Sequence, residues 1–379
     1  MNISKVELEL FLELYNETTR LKNDAIRGTK KLVFEMGPSL PSGSPVVVVM
    51  GSFDPLTIAH HQYFNQGIEW ATERHHKQSE LLIVSSVHHV DKKVDYSKNA
   101  SIEDRVLMLE DYSYTRGSVS IALANVALFR DLAPLVENAY QRGTPICFLT
   151  GADVMEKIVD LSYYPKGIQD LQNALNTLFA YHFIVAPRKV SYNMSTYPLR
   201  QPRLLTPEII IDENPMLKQY KNQIHNLALS KSKRSDTGSN AGSDEGLGEG
   251  LDGGSDAGSD KGLDSNRLLE EVSATRIREL RGQGKSSRDL DAPGISHFLD
   301  NRHLYENNDV YTSFVAACHF SAEIGRRRSA SVQSYSGGLH IFLKQLEADP
   351  VIRTQVIEVS KNPDNPMARE FEHRIFDLN

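Results

Sequence analysis

The sequence predicts an α/β protein in which a parallel β-sheet carries helices on both faces. Short apolar runs rich in valine, isoleucine and leucine recur along residues 45–212 and alternate with helical segments. Strands that are apolar throughout are typical of parallel sheets buried on both faces, and the intervening helices supply the crossover connections. With 379 residues and 40% hydrophobic content, the chain can build one such domain with further segments attached.

Local patterns place the elements in order. Residues 4–30 carry an apolar helical stripe, and the glycine- and proline-rich segment 37–43 then breaks the chain. Strands are predicted at residues 46–50, 81–86, 119–123, 146–150, 183–186 and 209–212. Helices are predicted at residues 60–75, 102–112, 128–142, 152–161, 272–280 and 295–301. Ser101 is predicted to cap the helix that begins at residue 102.

Charge and cysteine content limit the function classes. The net charge of −7 gives no reason to expect nucleic acid as the main partner. The two cysteines, Cys147 and Cys318, do not make a disulfide framework and suit a reducing compartment. The N-terminus has no signal-peptide pattern, and no apolar run has the length of a membrane span. We therefore expect a soluble cytoplasmic protein without a membrane partner, and leave a nuclear location and a homo-oligomer open.

Composition divides the chain into three parts. Residues 1–44 form a predicted helical extension, residues 45–305 the α/β domain, and residues 306–379 a C-terminal extension of unassigned role. Within the domain, residues 230–266 are rich in glycine, serine and aspartate and cannot bury enough apolar surface to become ordered. We interpret them as a disordered acidic insertion, an inert linker rather than a sensor. The basic stretch 326–331 is read either as a kinase site or as a solvated turn.

The turn at residues 51–61 is the most informative segment, because it follows a strand and begins a helix. Gly51 lets the backbone turn sharply near a ligand, and the helix start offers N–H groups to phosphate. Thr57 adds a hydroxyl, and His60 adds an imidazole that can donate to phosphate oxygens as negative charge develops. A structural turn with a capping threonine is the alternative for the turn taken alone.

A second segment, residues 272–278, combines hydroxyl groups with arginines at a predicted helix start. Ser273 and Thr275 begin the helix, and Arg276 and Arg278 follow within one turn. Hydroxyls at a helix N-terminus and a guanidinium one turn later can hold the β- and γ-phosphates of a nucleotide.

These two segments together resemble the signature of the nucleotidyltransferases that carry a His-x-Gly-His or Thr-x-x-His motif. Thr57 and His60 match that motif, and residues 272–278 resemble the family's Ile-Ser-Ser-Thr-x-x-Arg segment. The resemblance implies a Rossmann-like sheet and adenylyl transfer from ATP, with His60, Thr57 and Arg278 as catalytic residues. It implies ATP and phosphate contacts at Gly51, Ser52, Phe53, Ser273, Thr275 and Arg276.

Further segments resemble the nicotinamide or nicotinate mononucleotide adenylyltransferases. Gly151 to Asp153 is similar to their Gly-Ala-Asp segment, which implies that Asp153 accepts hydrogen bonds from ligand hydroxyls. Arg188 follows the next strand and by resemblance lies near the phosphates. The helix 295–301 and the Leu-Tyr pair that follows it at residues 304–305 are similar to the family's terminal helix.

The resemblance also implies a lysine that meets the acceptor phosphate in the loop before the helix at 102–112. Lys92, Lys93 and Lys98 all lie in this loop, and Lys93 is our choice, with Arg105 on the following helix as a second acceptor contact. The family's stacking tryptophan has no clear counterpart, because the single Trp70 falls on the first domain helix. The ring contact is left among three aromatic residues, Phe129, Tyr163 and Tyr164.

The implied reaction joins ATP and a mononucleotide to give NAD or its deamido form, with release of pyrophosphate. Mg²⁺ would accompany ATP, and no protein metal site is predicted, since the pairs at residues 75–76 and 88–89 are adjacent histidines. Phosphopantetheine adenylyltransferase is the rival within the enzymes, because its first motif reads the same. A catalytically silent nucleotide-binding regulator is the rival from another class.

Overall fold

The computed structural model describes residues 5–87, 98–190, 203–227 and 272–306. The predictions made for the acidic insertion 230–266, the basic stretch 326–331, the pair 88–89 and Lys93 lie outside the described residues. So does the C-terminal extension beyond residue 306.

The described chain alternates helices and strands, as the apolar runs predict. Its helices are α1 (Lys5–Ile26), α2 (Ile58–His75), α3 (Ile102–Tyr114), α4 (Phe129–Ala139), α5 (Ala152–Ile158), α6 (Ile168–Leu178), α7 (Pro207–Glu213), α8 (Ala274–Gly282) and α9 (Ile295–Arg302). Its strands are β1 (Leu32–Met36), β2 (Val46–Gly51), β3 (Glu80–Ser86), β4 (Val119–Ala124), β5 (Ile146–Gly151), β6 (His182–Ala186), β7 (Arg188–Val190), β8 (Arg203–Leu205) and β9 (Ile224–Asn226).

The main sheet confirms the predicted α/β, Rossmann-like class. Within the described ranges it has seven strands in the order β1-β4-β3-β2-β5-β6-β9, and every neighbouring pair except β1 and β4 is parallel. The chain runs outward from β2 through β3 to β4 and then returns to β5 on the other side of β2. This reversal makes a switch point between β2 and β5, where the crevice outside the strand ends is the usual ligand site of such sheets.

Helices bury both faces of the sheet. Val47 and Val49 of β2 join one apolar cluster with α1, α2, α3 and α9, whereas Val46 and Val48 join the other with α4, α5 and α6. The alternation follows from the two-residue period of a strand. The N-terminal helix α1 is tied to α3 by the buried Thr18 hydroxyl, which donates to Glu103 Oε1 at 2.7 Å.

Two predictions about the sheet need correction. Residues 209–212 are not a strand but part of α7, because Thr206 caps that helix and Pro207 occupies its first turn, which overrides the strand preference of three consecutive isoleucines. The strand beside β6 is instead the three-residue β9. The antiparallel edge strand β1 was missed, since the segment 32–36 gave no strong alternating pattern.

Trp70 belongs to an aromatic and imidazole cluster at the amino end of β6. Its ring lies 4.6 Å from that of His225, and the Arg74 guanidinium lies 5.1 Å above it. Arg74 donates to His182 Nε2 at 3.2 Å, and His182 Nδ1 lies 3.0 Å from His225 Nε2. Because Nε2 of His182 accepts, its Nδ1 must carry the proton, so both imidazoles are neutral and their tautomers are fixed.

This pair is expected to make the fold acid-sensitive. Burial, with the charges of His182 and Arg74, lowers the pKa of His225 from 6.5 to about 4, and burial also lowers the pKa of His182. The unfolded state therefore binds more protons, and stability is lost as the pH falls from about 6.5 to about 4. His225→Gln keeps an acceptor without a titrating group, so its melting temperature should fall less over this range than that of the wild type.

The control for that comparison is His297→Gln, which changes an exposed histidine bonded to Asn301. The measurement is the melting temperature at half-unit pH intervals. If it falls equally with pH in His225→Gln and in the wild type, His225 is not the source of the acid sensitivity.

Candidate active site

The candidate site lies at the carboxyl end of β2, where the turn after Gly51 leads into α2. Phe53 adopts a left-handed backbone conformation with φ of 45° and is buried. A Cβ at position 51 would lie 2.8 Å from Phe53 Cζ. Gly51 is thus required by the ring of Phe53, whereas the sequence suggested that it makes room for a ligand.

Thr57 and His60 form a reciprocal cap at the start of α2. The Thr57 hydroxyl accepts from the His60 backbone N–H at 3.2 Å, and the Thr57 backbone N–H donates to His60 Nδ1 at 3.1 Å. With Nδ1 accepting, the neutral ring carries its proton on Nε2. The cap therefore turns His60 into a hydrogen-bond donor of fixed orientation.

The surroundings keep His60 uncharged. Burial, with the positive charge of Arg188, lowers the pKa of His60 from 6.5 to about 4. The rings of Phe53 and Phe64 lie 5.6 Å and 6.2 Å from the imidazole. At neutral pH the imidazole is thus a neutral Nε2–H donor.

Two expectations for the start of α2 need correction. The Ile58 N–H donates to Leu290 O at 2.8 Å and the His60 N–H to Thr57, so these amides are not open to a phosphate. The Thr57 side chain is fully buried, so it positions His60 and does not face the crevice.

The arginine segment meets the same turn. Ser273 caps α8 by accepting from the Arg276 N–H at 3.2 Å, and Arg276 itself lies beside Glu279. Arg278 donates to the backbone carbonyl of Asp54 and to Thr275 Oγ1, the latter at 3.1 Å. The sequence resemblance paired this segment with the turn at residues 51–61. The bond between Arg278 and Asp54 agrees with that pairing, although the two residues are 224 positions apart in sequence.

Asp153 and Arg188 lie at the ends of the neighbouring strands β5 and β6. They form an ion pair at 3.6 Å, and within the described residues Asp153 Oδ1 is buried without a hydrogen-bond donor. A Cβ at Gly151 would lie 2.5 Å from that oxygen, so glycine leaves space for the carboxylate. Tyr63 lies near the pair, and burial, with the charge of Asp153, raises its pKa.

Arg105 has a different place from the one expected. Its guanidinium is buried and donates to Ser52 Oγ at 2.8 Å, to Ser52 O at 3.3 Å and to Ser101 O at 3.1 Å. Ser101 also caps α3, as predicted, by accepting from the Asp104 N–H. Arg105 thus shapes the turn from below, and direct contact with an acceptor is not its role in this arrangement.

A cavity of about 240 Å³ opens beside Gly51 and Ser52 at the carboxyl ends of the strands. All three aromatic residues proposed for ring contact line it, together with Arg130 and Lys157. Phe129 and Tyr164 are buried, and the Tyr164 hydroxyl donates to Ile158 O at 2.5 Å, whereas Tyr163 is only partly buried. Arg130 lies 4.8 Å from the Tyr164 ring and pairs with Asp170 at 3.2 Å.

The sequence did not single out Asp54, Arg130 or Lys157. Asp54 lies inside the motif and could have been noted as a carboxylate beside a phosphate site, but its partners come from distant segments. Among the described residues, no group of three or more histidine, cysteine or acidic side chains could hold a metal ion. None of the helices in the described ranges is both long enough and apolar enough to span a bilayer.

A search of curated proteins gave no match. A nicotinic acid mononucleotide adenylyltransferase from Plasmodium falciparum, solved in complex with APC, is similar in structure at a TM-score of 0.37 and 13% identity, over 70% of this chain and 98% of the other. This likeness is too distant to assign a substrate. The cytidylyltransferase-like family model matches residues 48–239, which is half of the sequence. The chain therefore belongs to the cytidylyltransferase-like family, within the nucleotidyltransferase superfamily.

Proposed function

We propose that this protein transfers the adenylyl group of ATP to nicotinamide or nicotinate mononucleotide. The observation that supports it best is that His60 and Arg278 both bond to the turn after β2. His60 supplies a neutral N–H donor and Arg278 a guanidinium, and Asp153 supplies a carboxylate acceptor after the neighbouring strand β5. A cavity of about 240 Å³ adjoins the same turn and can take a planar ring.

In this reaction a phosphate oxygen of the mononucleotide attacks the α-phosphorus of ATP in line. The new P–O bond forms as the bond to the β-phosphate breaks, and pyrophosphate leaves with the electron pair. His60 Nε2–H would donate to the phosphate oxygens as their negative charge shifts, and Arg278 would hold the leaving pyrophosphate. No covalent intermediate is required, so positioning and charge stabilisation supply the catalysis.

The carboxylates near the turn do not form a metal cage. Asp54 is engaged by three neighbours and Asp153 pairs with Arg188, which leaves few oxygens for a cation. We therefore propose that Mg²⁺ enters bound to the triphosphate, where it neutralises phosphate charge.

Tyr163 is the best candidate for the residue that contacts the acceptor ring. Of the three aromatic residues in the cavity, Phe129 packs at 5.6 Å and 6.0 Å against Phe148 and Phe183 in the core, and Tyr164 is held by its hydroxyl. Tyr163 lines the cavity and keeps part of its surface accessible.

Tyr163→Ala should therefore raise the KM for the mononucleotide about 10-fold while the KM for ATP changes little, because an aromatic stacking contact contributes roughly 1 kcal/mol or more. Tyr163→Phe keeps the ring and serves as the control. Initial rates measured over a matrix of both substrates give the two constants. A parallel rise in both KM values would count against a ring contact.

A pyrophosphate-release assay tests the function itself. The protein is supplied with Mg-ATP and, in turn, nicotinamide mononucleotide, nicotinate mononucleotide and phosphopantetheine. Release with either pyridine nucleotide supports the proposal. Release with phosphopantetheine alone would move the acceptor assignment to that rival, and no release with any acceptor would favour a silent nucleotide-binding protein.

A further inference from the structure

We propose that Tyr305 is a positioning residue for the phosphate-binding arginine, acting through Asp54. The proposal rests on the proposed role of Arg278 in holding ATP phosphates. Tyr305 lies three residues beyond α9 and 251 residues from Asp54 in sequence, yet its hydroxyl donates to Asp54 Oδ1 at 2.7 Å in a buried contact.

Asp54 is the point where three segments meet. Its Oδ1 accepts from Tyr305 and also from the Ala100 N–H at 3.0 Å, just before α3. Its Oδ2 lies 3.8 Å from Arg278 Nη1, and its own backbone carbonyl accepts from the same nitrogen. With two donors fixing Oδ1, the rotation of the carboxylate is set, and Oδ2 is directed at the guanidinium.

The backbone supports a specific role for Tyr305. The residue adopts a left-handed conformation with φ of 66°, which is costly for a tyrosine and persists only where surrounding contacts hold it. Leu304 beside it is fully buried, and Arg302 of α9 pairs at 3.6 Å with Asp104 of α3, both side chains being buried. Leu304 and the Arg302–Asp104 ion pair hold this segment in place, so that the Tyr305 hydroxyl lies within hydrogen-bond distance of Asp54.

The consequence concerns charge as well as geometry. A carboxylate beside a triphosphate site repels the ligand unless a cation screens it, and here Arg278 serves both Asp54 and the phosphates. Tyr305 and Ala100 together carry part of the negative charge on Oδ1 by hydrogen bonding, which leaves more of the Arg278 charge for phosphate. Loss of the phenol hydroxyl should therefore weaken contacts to the β- and γ-phosphates and spare the adenosine.

The test compares ATP with AMP, because only ATP carries the outer phosphates. Calorimetric titration of Tyr305→Phe with each nucleotide should show the ATP affinity reduced about 5- to 10-fold with the AMP affinity nearly unchanged. The control is Tyr181→Phe, which removes a hydroxyl bonded to a carboxylate, Glu137, at 2.8 Å. In an Arg278→Lys background the effect of Tyr305→Phe should largely disappear, since the two act as one unit.

Each result has a definite meaning. Equal weakening of ATP and AMP, unchanged binding of both, or a full effect in the Arg278→Lys background would each overturn the proposal. If Tyr305→Phe does not fold, Asp54→Asn keeps the shape and removes the charge that competes with the phosphates for Arg278. It should therefore raise the ATP-to-AMP affinity ratio, and a ratio that stays the same or falls would overturn the proposal. Absence of pyrophosphate release from the wild type would overturn the enzyme function alone, because the affinity ratio does not depend on turnover. Failure of the wild type to bind ATP would overturn both.

Discussion

Replacing His60 by alanine is expected to lower turnover about 100-fold or more with the fold intact, on the scale of losing one donor to a developing negative charge. The geometry is specific. Nδ1 is occupied by the Thr57 N–H at 3.1 Å, so Nε2–H is the donating edge, and the pKa of about 4 keeps the ring neutral at working pH before nucleotide binds. A bound triphosphate would raise that pKa and strengthen the donation.

The measurement is kcat for pyrophosphate release, with melting temperature as the check on folding. His61→Ala is the matched control, because His61 lies on the same helix turn but its ring bonds Tyr112 and Asn65, whereas the ring of His60 bonds the Thr57 N–H. We expect less than about a threefold change for the control. Turnover of His60→Ala within that same range would show that His60 only caps the helix.

The second large effect is expected on stability. Arg281→Met should lower the free energy of unfolding by about 3 kcal/mol, because it leaves a buried carboxylate without its cation. Arg281 is buried and donates to Ser287 Oγ at 2.9 Å and to Asp300 at 2.9 Å, with Asp291 at 3.5 Å. Burial already raises the pKa of Asp291 in the intact network.

Loss of the arginine should raise the pKa of Asp291 further, so the deficit should shrink as the pH falls. A group with a raised folded-state pKa stabilises the fold below its unfolded pKa and loses that contribution as pH rises through the folded value. Urea unfolding at pH 5 and pH 8 measures the difference. Arg288→Met is the control, since Arg288 is exposed and bonds only the accessible edge of Asp300 in the described residues. Equal deficits for the two variants at pH 8 would refute the buried-charge argument.

The network around Arg281 also braces the site. The backbones of Asp291 and Thr57 form an isolated antiparallel β-bridge. Beside it, the Ala292 N–H donates to Leu56 O at 3.4 Å, and Leu290 O accepts from the Ile58 N–H at 2.8 Å. Part of any activity loss in Arg281→Met would therefore reflect a displaced turn.

The sequence predicted the strands that lie deep in the sheet and the two motifs that meet at the carboxyl end of β2. Apolar runs such as 46–50 and 81–86 are dictated by burial on both faces, and Gly51, Thr57 and His60 are dictated by a turn whose geometry admits few alternatives. The apolar runs and the turn residues are local patterns, so they can be recognised in a single sequence.

The features that the sequence did not predict depend on contacts that the local sequence pattern does not show. The family resemblance implied an acceptor contact for Arg105, but the carbonyls of Ser52 and Ser101 and the Ser52 hydroxyl satisfy its donors in the interior. The isoleucines at 209–211 favour a strand locally, and only Thr206 and Pro207 before them reverse the outcome. The structural role of Asp54 was not predicted, because its partners at positions 100, 278 and 305 are far from it in sequence.

The hydrogen bond between Asp54 and Tyr305 joins residues 251 positions apart. During synthesis the strands of the main sheet, which end at Asn226, emerge well before α8 and α9 do. At ribosomal speeds of about 5–20 residues per second, roughly 10–50 seconds separate the appearance of the turn from that of the tyrosine that fixes it. The nascent chain can thus pair its sheet early, while a competent phosphate site waits for the segment that follows residue 272.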